Sequence, residues 1–407
     1  MSVDKHLTPV VVFRQVSNAV LVKTQEHGNP DQMILTKSKK YLTPTILLGV
    51  LSLLLFGNLV TAQNPHDLPP PPPPPRYKPK PTPTPTPLRD EDYEVVRISS
   101  NLVMVPVSVV NAKGEAVHGL QVNDFRLEEQ GRQQQIVQIG NPDEVPLDIA
   151  ILFDVSSSVS QKGFFAFQQK AAASFLKQVL KPADRAAVFT IGQEARLVAP
   201  LASAEAAAST LLTIPAATTS VSTSFYDTVA AAAKYLTSNS EGRRRKVILV
   251  ISDGDDTSSN LLKGPTVAEI RASNQGQITP AAARVGLEAR HHQAIGDVQR
   301  AVQQADAAFY SINPGGASVR LNQISMRAES GMEAIAQATG GTAFMPAGEQ
   351  DLERVFNEVA AELRGQYLLQ YYSNSQAPGA EFRRIAVAVP SHLEVRVRAR
   401  QGYYPKK

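Results

Sequence analysis

Residues 147–158 read Leu147-Asp148-Ile149-Ala150-Ile151-Leu152-Phe153-Asp154-Val155-Ser156-Ser157-Ser158. The first seven are almost continuously apolar, the pattern of a strand covered on both faces rather than one facing water. Comparable runs recur at Ala186–Ile191, Lys246–Ser252, Ala307–Ile312 and Gly341–Met345. Between them, apolar residues at helical spacing predict helices at about Phe164–Leu180, Ser203–Leu212, Phe225–Leu236, Leu287–Asp306, Met332–Thr339 and Gln350–Leu363. Gly340-Gly341 stops the fifth of these. Such alternation implies an α/β domain over residues 146–364 with a doubly wound, mostly parallel, Rossmann-like sheet.

The chemistry follows from where the strands end. With strand order 3-2-1-4-5-6, strands 1 and 4 are neighbours at the topological switch point, and their carboxyl ends open into one crevice. Asp154-Val155-Ser156-Ser157-Ser158 closes the first strand, and Asp253-Gly254 closes the fourth-strand run Val247–Ser252. Two carboxylates and several hydroxyls form a hard oxygen set suited to Mg²⁺ or Mn²⁺. Thr223, just before the helix at Phe225, adds a loop contribution. The candidate metal ligands are therefore Asp154, Ser156, Ser158, Thr223 and Asp253. Asp-x-Ser-x-Ser alone is a common turn; its combination with Thr223 and Asp253-Gly254 at these topological places makes it specific. Asp227, Asp255 and Asp256 read as helix-capping or supporting groups instead. His291 and His292 are adjacent on a helix and so diverge, which argues against a two-histidine site.

These five positions resemble the metal-ion-dependent adhesion site of the von Willebrand factor A-type family, built from Asp-x-Ser-x-Ser, a distant threonine and a later Asp-Gly. The resemblance covers about residues 146–364. It implies that the serines and threonine contact the ion directly, that the aspartates act largely through water, and that an acidic group of a protein partner fills an open position. Family members often carry glycines just before the threonine, where Ser220-Val221-Ser222 stands here. The β patterns at residues 91–145 and 365–407, the basic residues Lys37, Lys39 and Lys40 before an apolar stretch from about Thr45 to Val60, and the terminal Gly402-Tyr403-Tyr404 resemble the exported bacterial branch of VWFA-related domain proteins.

Outside the α/β region the period changes to two. Val103, Val105, Val107 and Val109 alternate, Asn111–Gly114 turns, and short strands follow near Phe125–Glu128 and Gln135–Ile139 with a turn at Glu129–Arg132. Residues 91–145 thus suggest a small antiparallel sandwich whose strands are too few to stand alone. Strand patterns at Gln366–Tyr372, Phe382–Val389 and Leu393–Ala399 suggest that residues 365–407 complete it. Upstream, residues 63–90 form a proline-rich linker, with Pro69 to Pro75 uninterrupted, expected to be a stiff polyproline II spacer. Lys37, Lys39 and Lys40 precede an apolar stretch from about Thr45 to Val60, and Val60-Thr61-Ala62 suits signal peptidase. Residues 1–62 read as a signal region cleaved after Ala62, with export to the periplasm, cell surface or medium; the alternative is a retained membrane anchor at residues 45–60. Met33 begins a leader of ordinary length, which makes residues 1–32 candidates for sequence upstream of the true start.

The 407 residues carry 41 basic and 37 acidic side chains, a net charge of +4 without a basic cluster interleaved with aromatics, so nucleic acid is not the expected partner. The absence of cysteine removes disulfides, thiolate metal sites and cysteine nucleophiles. No nucleophile elbow or phosphate-cradling loop is present, which argues against an enzyme. The expected function is a metal-dependent protein-binding or adhesion module outside the cytoplasm. Alternatives are a structural subunit of an envelope assembly with a non-catalytic ion and, less in keeping with the motifs, a hydrolase. Thr257 to Gly296 is long for a strand-to-helix connection and reads as a mobile flap beside the ion that tunes partner choice.

Overall fold

The computed structural model describes residues 14–16, 19–21, 102–160, 165–219, 221–263, 270–271, 275, 280–316, 323–375 and 381–405. The expected signal or anchor at residues 45–60 and the linker at 63–90 lie outside the described residues. Two compact units are present, residues 1–92 and 93–407. In the first, β1 (Arg14–Val16) and β2 (Ala19–Leu21) form an antiparallel pair. Among the described residues no helix is long and apolar enough to cross a membrane.

The second unit contains β3 (Leu102–Val110), β4 (Arg126–Glu129), β5 (Arg132–Gln134) and β6 (Ile136–Gly140), then the α/β region. This comprises β7 (Leu147–Asp154), α1 (Ser157–Ser160), α2 (Phe165–Val179), β8 (Arg185–Ile191), β9 (Arg196–Ala202), α3 (Ala204–Leu212), α4 (Phe225–Asn239), β10 (Arg245–Ile251), α5 (Pro280–Gln304), β11 (Ala307–Ile312), α6 (Gln323–Thr339), β12 (Ala343–Phe344) and α7 (Glu349–Gly365). The chain ends with β13 (Tyr367–Tyr372), β14 (Arg383–Ala388), β15 (Arg396–Ala399) and β16 (Gly402–Tyr403).

The six-stranded sheet runs β12-β11-β10-β7-β8-β9, which in chain order is the 3-2-1-4-5-6 arrangement. All pairs are parallel except β8 with β9. β7 lies at the centre with every residue buried. Its Ile149, Ile151 and Phe153 face α2, α3 and α7, whereas Ala150 and Leu152 face α4, α5 and α6. That two-sided burial explains the continuous apolar run. β9 escaped the sequence reading because Pro200 interrupts it and Leu197 is exposed; an edge strand tolerates both. α5 starts at Pro280 and α6 at Gln323, earlier than the apolar spacing implies, because apolar side chains in their early turns, Val285, Leu287, Ile324 and Met326, are exposed and follow no buried stripe.

The chain passes from α6 into β12 through a contact that only glycine allows. A Cβ on Gly341 would sit 2.0 Å from the Phe309 carbonyl oxygen, and Gly340 has φ +84°. Gly341→Ala is expected to destabilise the protein by about 2–3 kcal/mol, measured by urea unfolding. A loss below about 0.5 kcal/mol would show that the sheet edge relaxes freely.

Both ends of the second unit contribute to two four-stranded antiparallel sheets, β15-β3-β13-β6 and β16-β14-β4-β5. β3 lies between β15 and β13, and β4 pairs with β14. Val103, Val105, Val107 and Val109 of β3 bury against Leu127, Leu369, Tyr371 and Ile385. Gln130 and Gly131, with φ of 51° and 73°, make the two-residue turn joining β4 to β5.

The described ends of the stretch expected to be a flap are built into the domain, while residues 264–269, 272–274 and 276–279 of it lie outside the described residues. Asp227 of α4 accepts hydrogen bonds from the amides of Asn260 (2.7 Å) and Leu261 (3.2 Å). Leu261 and Leu262 pack on the core, and α5 buries Ala294, Val298 and Val302. The polar composition concealed this because much of the attachment is hydrogen bonding to carboxylates rather than apolar burial.

Candidate metal centre

The parallel register sets Phe153 beside Ile251, so Asp154 and Ser252 leave their strands level with each other. Asp154 is wholly buried. One carboxylate oxygen accepts from the Ser156 amide at 2.7 Å, which folds the chain back after β7, and the other accepts from the Ser252 hydroxyl at 2.5 Å. The Gly254 amide donates to that same hydroxyl at 2.9 Å. Gly254 has φ +76°, and a Cβ there would meet the Met332 side chain at 2.7 Å, so the Asp-Gly step has a steric cause.

Thr223, in the loop before α4, is tied to the loop after β10. Its carbonyl accepts from the amides of Thr257 and Ser258, both at 2.9 Å, and its amide donates to the Thr257 hydroxyl at 2.9 Å. None of these bonds uses the Thr223 hydroxyl. Next to it, the Ser224 amide donates to the Gly192 carbonyl at 2.7 Å, while Gly192 lies against Val155 and Val221. The loops after β7, β8 and β10 therefore lock around the threonine.

Asp154, Ser156 and Asp253 come together at the strand ends, with Thr223 held between the neighbouring loops. Ser158 falls in α1, but its side chain lies outside the described residues. Asp256 and Asp227 serve the scaffold: Asp256 accepts from the Tyr226 amide at the start of α4 (2.8 Å) and from the Ser259 amide (2.9 Å). Ser252 is a neighbour of Asp154 that the sequence reading missed. A serine before Asp-Gly carries no spacing signal, and only strand register puts its hydroxyl on Asp154.

The electrostatics fit a cation. Burial, with the Asp253 carboxylate as the second cause, pushes Asp154 up to about 7, against the opposing hydrogen bonds from Ser156 and Ser252. Burial and Asp253 likewise raise Asp255. The Asp253 carboxylate thus disfavours the charged form of Asp154, a repulsion that a divalent ion would relieve. Among the described residues no three histidine or acidic side chains converge as a metal cage, so an ion here would depend on hydroxyl ligands.

His291 of α5 is buried behind this crevice, 3.2 Å from the Tyr226 hydroxyl through Nδ1, while His292 is exposed. Burial lowers it to about 4, with Arg327 and Arg290 adding repulsion. The unfolded chain therefore binds this proton below about 6.5 and the folded protein only near 4, so stability falls as pH drops through that window. Between pH 7.5 and 4.5 the native chain should lose roughly 2 kcal/mol more in urea unfolding than His291→Gln. Equal losses would show that His291 is not held neutral.

Residues 148–357 match the family described as the von Willebrand factor type A domain. No curated protein matches the chain. Solved structures similar to it include a von Willebrand factor type A protein from Catenulispora acidiphila, at 14% identity over 76% of this chain and 64% of that one, with a TM-score of 0.38. The vWF domain of the type V pili tip protein Mfa5 from Porphyromonas gingivalis matches at 13% identity over 53% of this chain and 94% of that one, with a TM-score of 0.37. Proximal thread matrix protein 1 from the mussel byssus, with a zinc occupied MIDAS motif, matches at 14% identity over 57% of this chain and 48% of that one, with a TM-score of 0.38. The chain spans less than two thirds of the length of the Catenulispora and mussel chains.

Proposed function

Because this chain belongs to the von Willebrand factor type A domain family, we propose that it is a metal-dependent protein-binding module acting outside the cytoplasm. Asp154, Ser156, Ser158, Thr223 and Asp253 would hold one Mg²⁺ or Mn²⁺, the hydroxyls directly and the aspartates largely through water. When bound, the ion supplies a concentrated positive charge with a coordination position open to a carboxylate of the partner. The chain's own residues orient that arrangement. Asp154 is the observation that carries the reading: its carboxylate is buried, both oxygens are fixed by Ser156 and Ser252, and its charge faces Asp253. Neutral hydroxyl ligands would leave much of the ion's charge for the incoming acid.

A binding role rather than catalysis is supported by the use of the nearby polar groups. The Ser252 hydroxyl is committed to Asp154, and His291 is turned toward Tyr226. Export is supported by the basic residues before the apolar stretch and by Val60-Thr61-Ala62. A pull-down from envelope extract with the full chain tests the reading. The same proteins should be retained in Mn²⁺ and lost both in EDTA and on Asp253→Ala. Retention of the same set under all three conditions would contradict it.

A further inference from the structure

At the opposite end of β10 from Asp253, a cavity of about 330 Å³ opens between the sandwich and the α/β region. Its wall contains Arg243, Arg244, Arg245, Arg383 and Arg400 against one acid, Asp306. The apolar part comes from Leu102, Met104, Tyr403 and Tyr404. We propose that this cavity is a second ligand site, for a small, multiply charged oxyanion carried on a ring, such as a bisphosphorylated sugar or an aromatic polycarboxylate.

Four of these arginines have partners within the fold, and Arg243 has none among the described residues. Arg244 shares the buried Asp148 with Arg185, each at 2.8 Å, and also donates to the Ala183 carbonyl at 2.6 Å and the Leu147 carbonyl at 3.4 Å. Arg245 donates to the Leu363 carbonyl at 2.8 Å, the Gln366 side-chain oxygen at 3.3 Å and the Pro142 carbonyl at 3.2 Å, while its buried Nε has no acceptor among the described residues. Arg400 is only 10% exposed; it meets Asp306 and donates to the Met104 carbonyl, yet its buried Nε also lacks an acceptor. Its guanidinium lies over the Tyr403 ring, 5.3 Å from the centroid. Arg383 is paired with Glu129. Arg243 is exposed and makes no hydrogen bond or ion pair among the described residues.

Planar guanidinium forks suit carboxylate and phosphate oxygens, and desolvated walls strengthen such bonds. Asp148, Glu129 and Asp306 pair with Arg244, Arg383 and Arg400, so a ligand with two charges matches the two guanidiniums that remain without an acid, Arg243 and Arg245. Tyrosine faces beside the arginines favour a ring. The volume lies near the lower end for small-molecule sites, about 300–1,000 Å³. Structural ties such as Arg400 with Asp306 account for part of the cluster but not for Arg243.

Calorimetry on the full chain in metal-free buffer tests the site, because without a divalent ion the anion cannot be held at the other end of the sheet. The probes are a hexose 1,6-bisphosphate and benzene-1,3,5-tricarboxylate. At least one should bind, and which one does so identifies the anion class. Arg243→Ala and Arg400→Lys should each weaken that binding by about tenfold, with the melting temperature of Arg243→Ala unchanged. If Arg400→Lys lowers stability, the Arg243→Ala titration decides alone. Binding of neither probe, or wild-type affinity in the deciding variants, would overturn the proposal.

Discussion

Asp154→Asn is expected to erase the stabilisation that Mn²⁺ gives the native chain while leaving the metal-free protein within about 1 kcal/mol of it. Asparagine retains an oxygen for the Ser156 amide and loses the ionised partner of the Ser252 hydroxyl, at the cost of about one hydrogen bond. Against that loss, a buried charge facing Asp253 disappears. The ion then lacks the carboxylate that opposes its charge at the end of β7. At a hundredfold excess over its dissociation constant, a ligand bound only by the folded state stabilises by about 2.7 kcal/mol. Thermal unfolding with EDTA and with Mn²⁺ separates the effects. The native chain should shift upward with Mn²⁺ and Asp154→Asn should not; an equal shift in both would remove Asp154 from the site.

Arg383→Met is expected to destabilise the protein by about 3–5 kcal/mol, by stranding a buried charge in the sandwich. Glu129 is 2% exposed and accepts from the hydroxyls of Tyr371 (2.7 Å) and Ser373 (2.8 Å), with Arg383 as its ion-pair partner at 3.4 Å. Glu129 ends β4, whereas the other three belong to the C-terminal strands and their connection, so the pair ties the two ends of the second unit together. Adding Glu129→Gln to Arg383→Met should recover most of the loss, since no uncompensated charge remains. Urea unfolding of both variants checks this. A loss below about 1 kcal/mol in the single variant would show that water reaches Glu129 and satisfies it.

The central sheet was legible because burial on both faces removes polar positions, as in Leu147–Phe153, and because Asp154 and Asp253-Gly254 stand where two such runs stop. Strand order then placed both acids in one crevice. What stayed hidden has specific causes. β9 carries Pro200 and an exposed Leu197, so an edge strand looks like a loop. The Thr257–Leu262 attachment is held by Asp227 and by the Thr223 carbonyl, interactions with no hydrophobic period to read. Ser252 belongs to the site only through the register of β10 against β7. The arginine cavity is likewise assembled across distance: Arg243 to Arg245 look like a solvated strand start until Arg383 and Arg400 arrive from the C-terminal strands.

Crystals of the full chain grown with Mn²⁺ and measured at the manganese absorption edge test the metal centre most directly. The predicted result is one anomalous peak in the crevice between the ends of β7 and β10, beside Asp154, Ser156, Thr223 and Asp253, absent from Asp154→Asn crystals grown alike. A peak only elsewhere on the surface, or one that persists at the crevice in Asp154→Asn, would contradict a metal centre built by these residues.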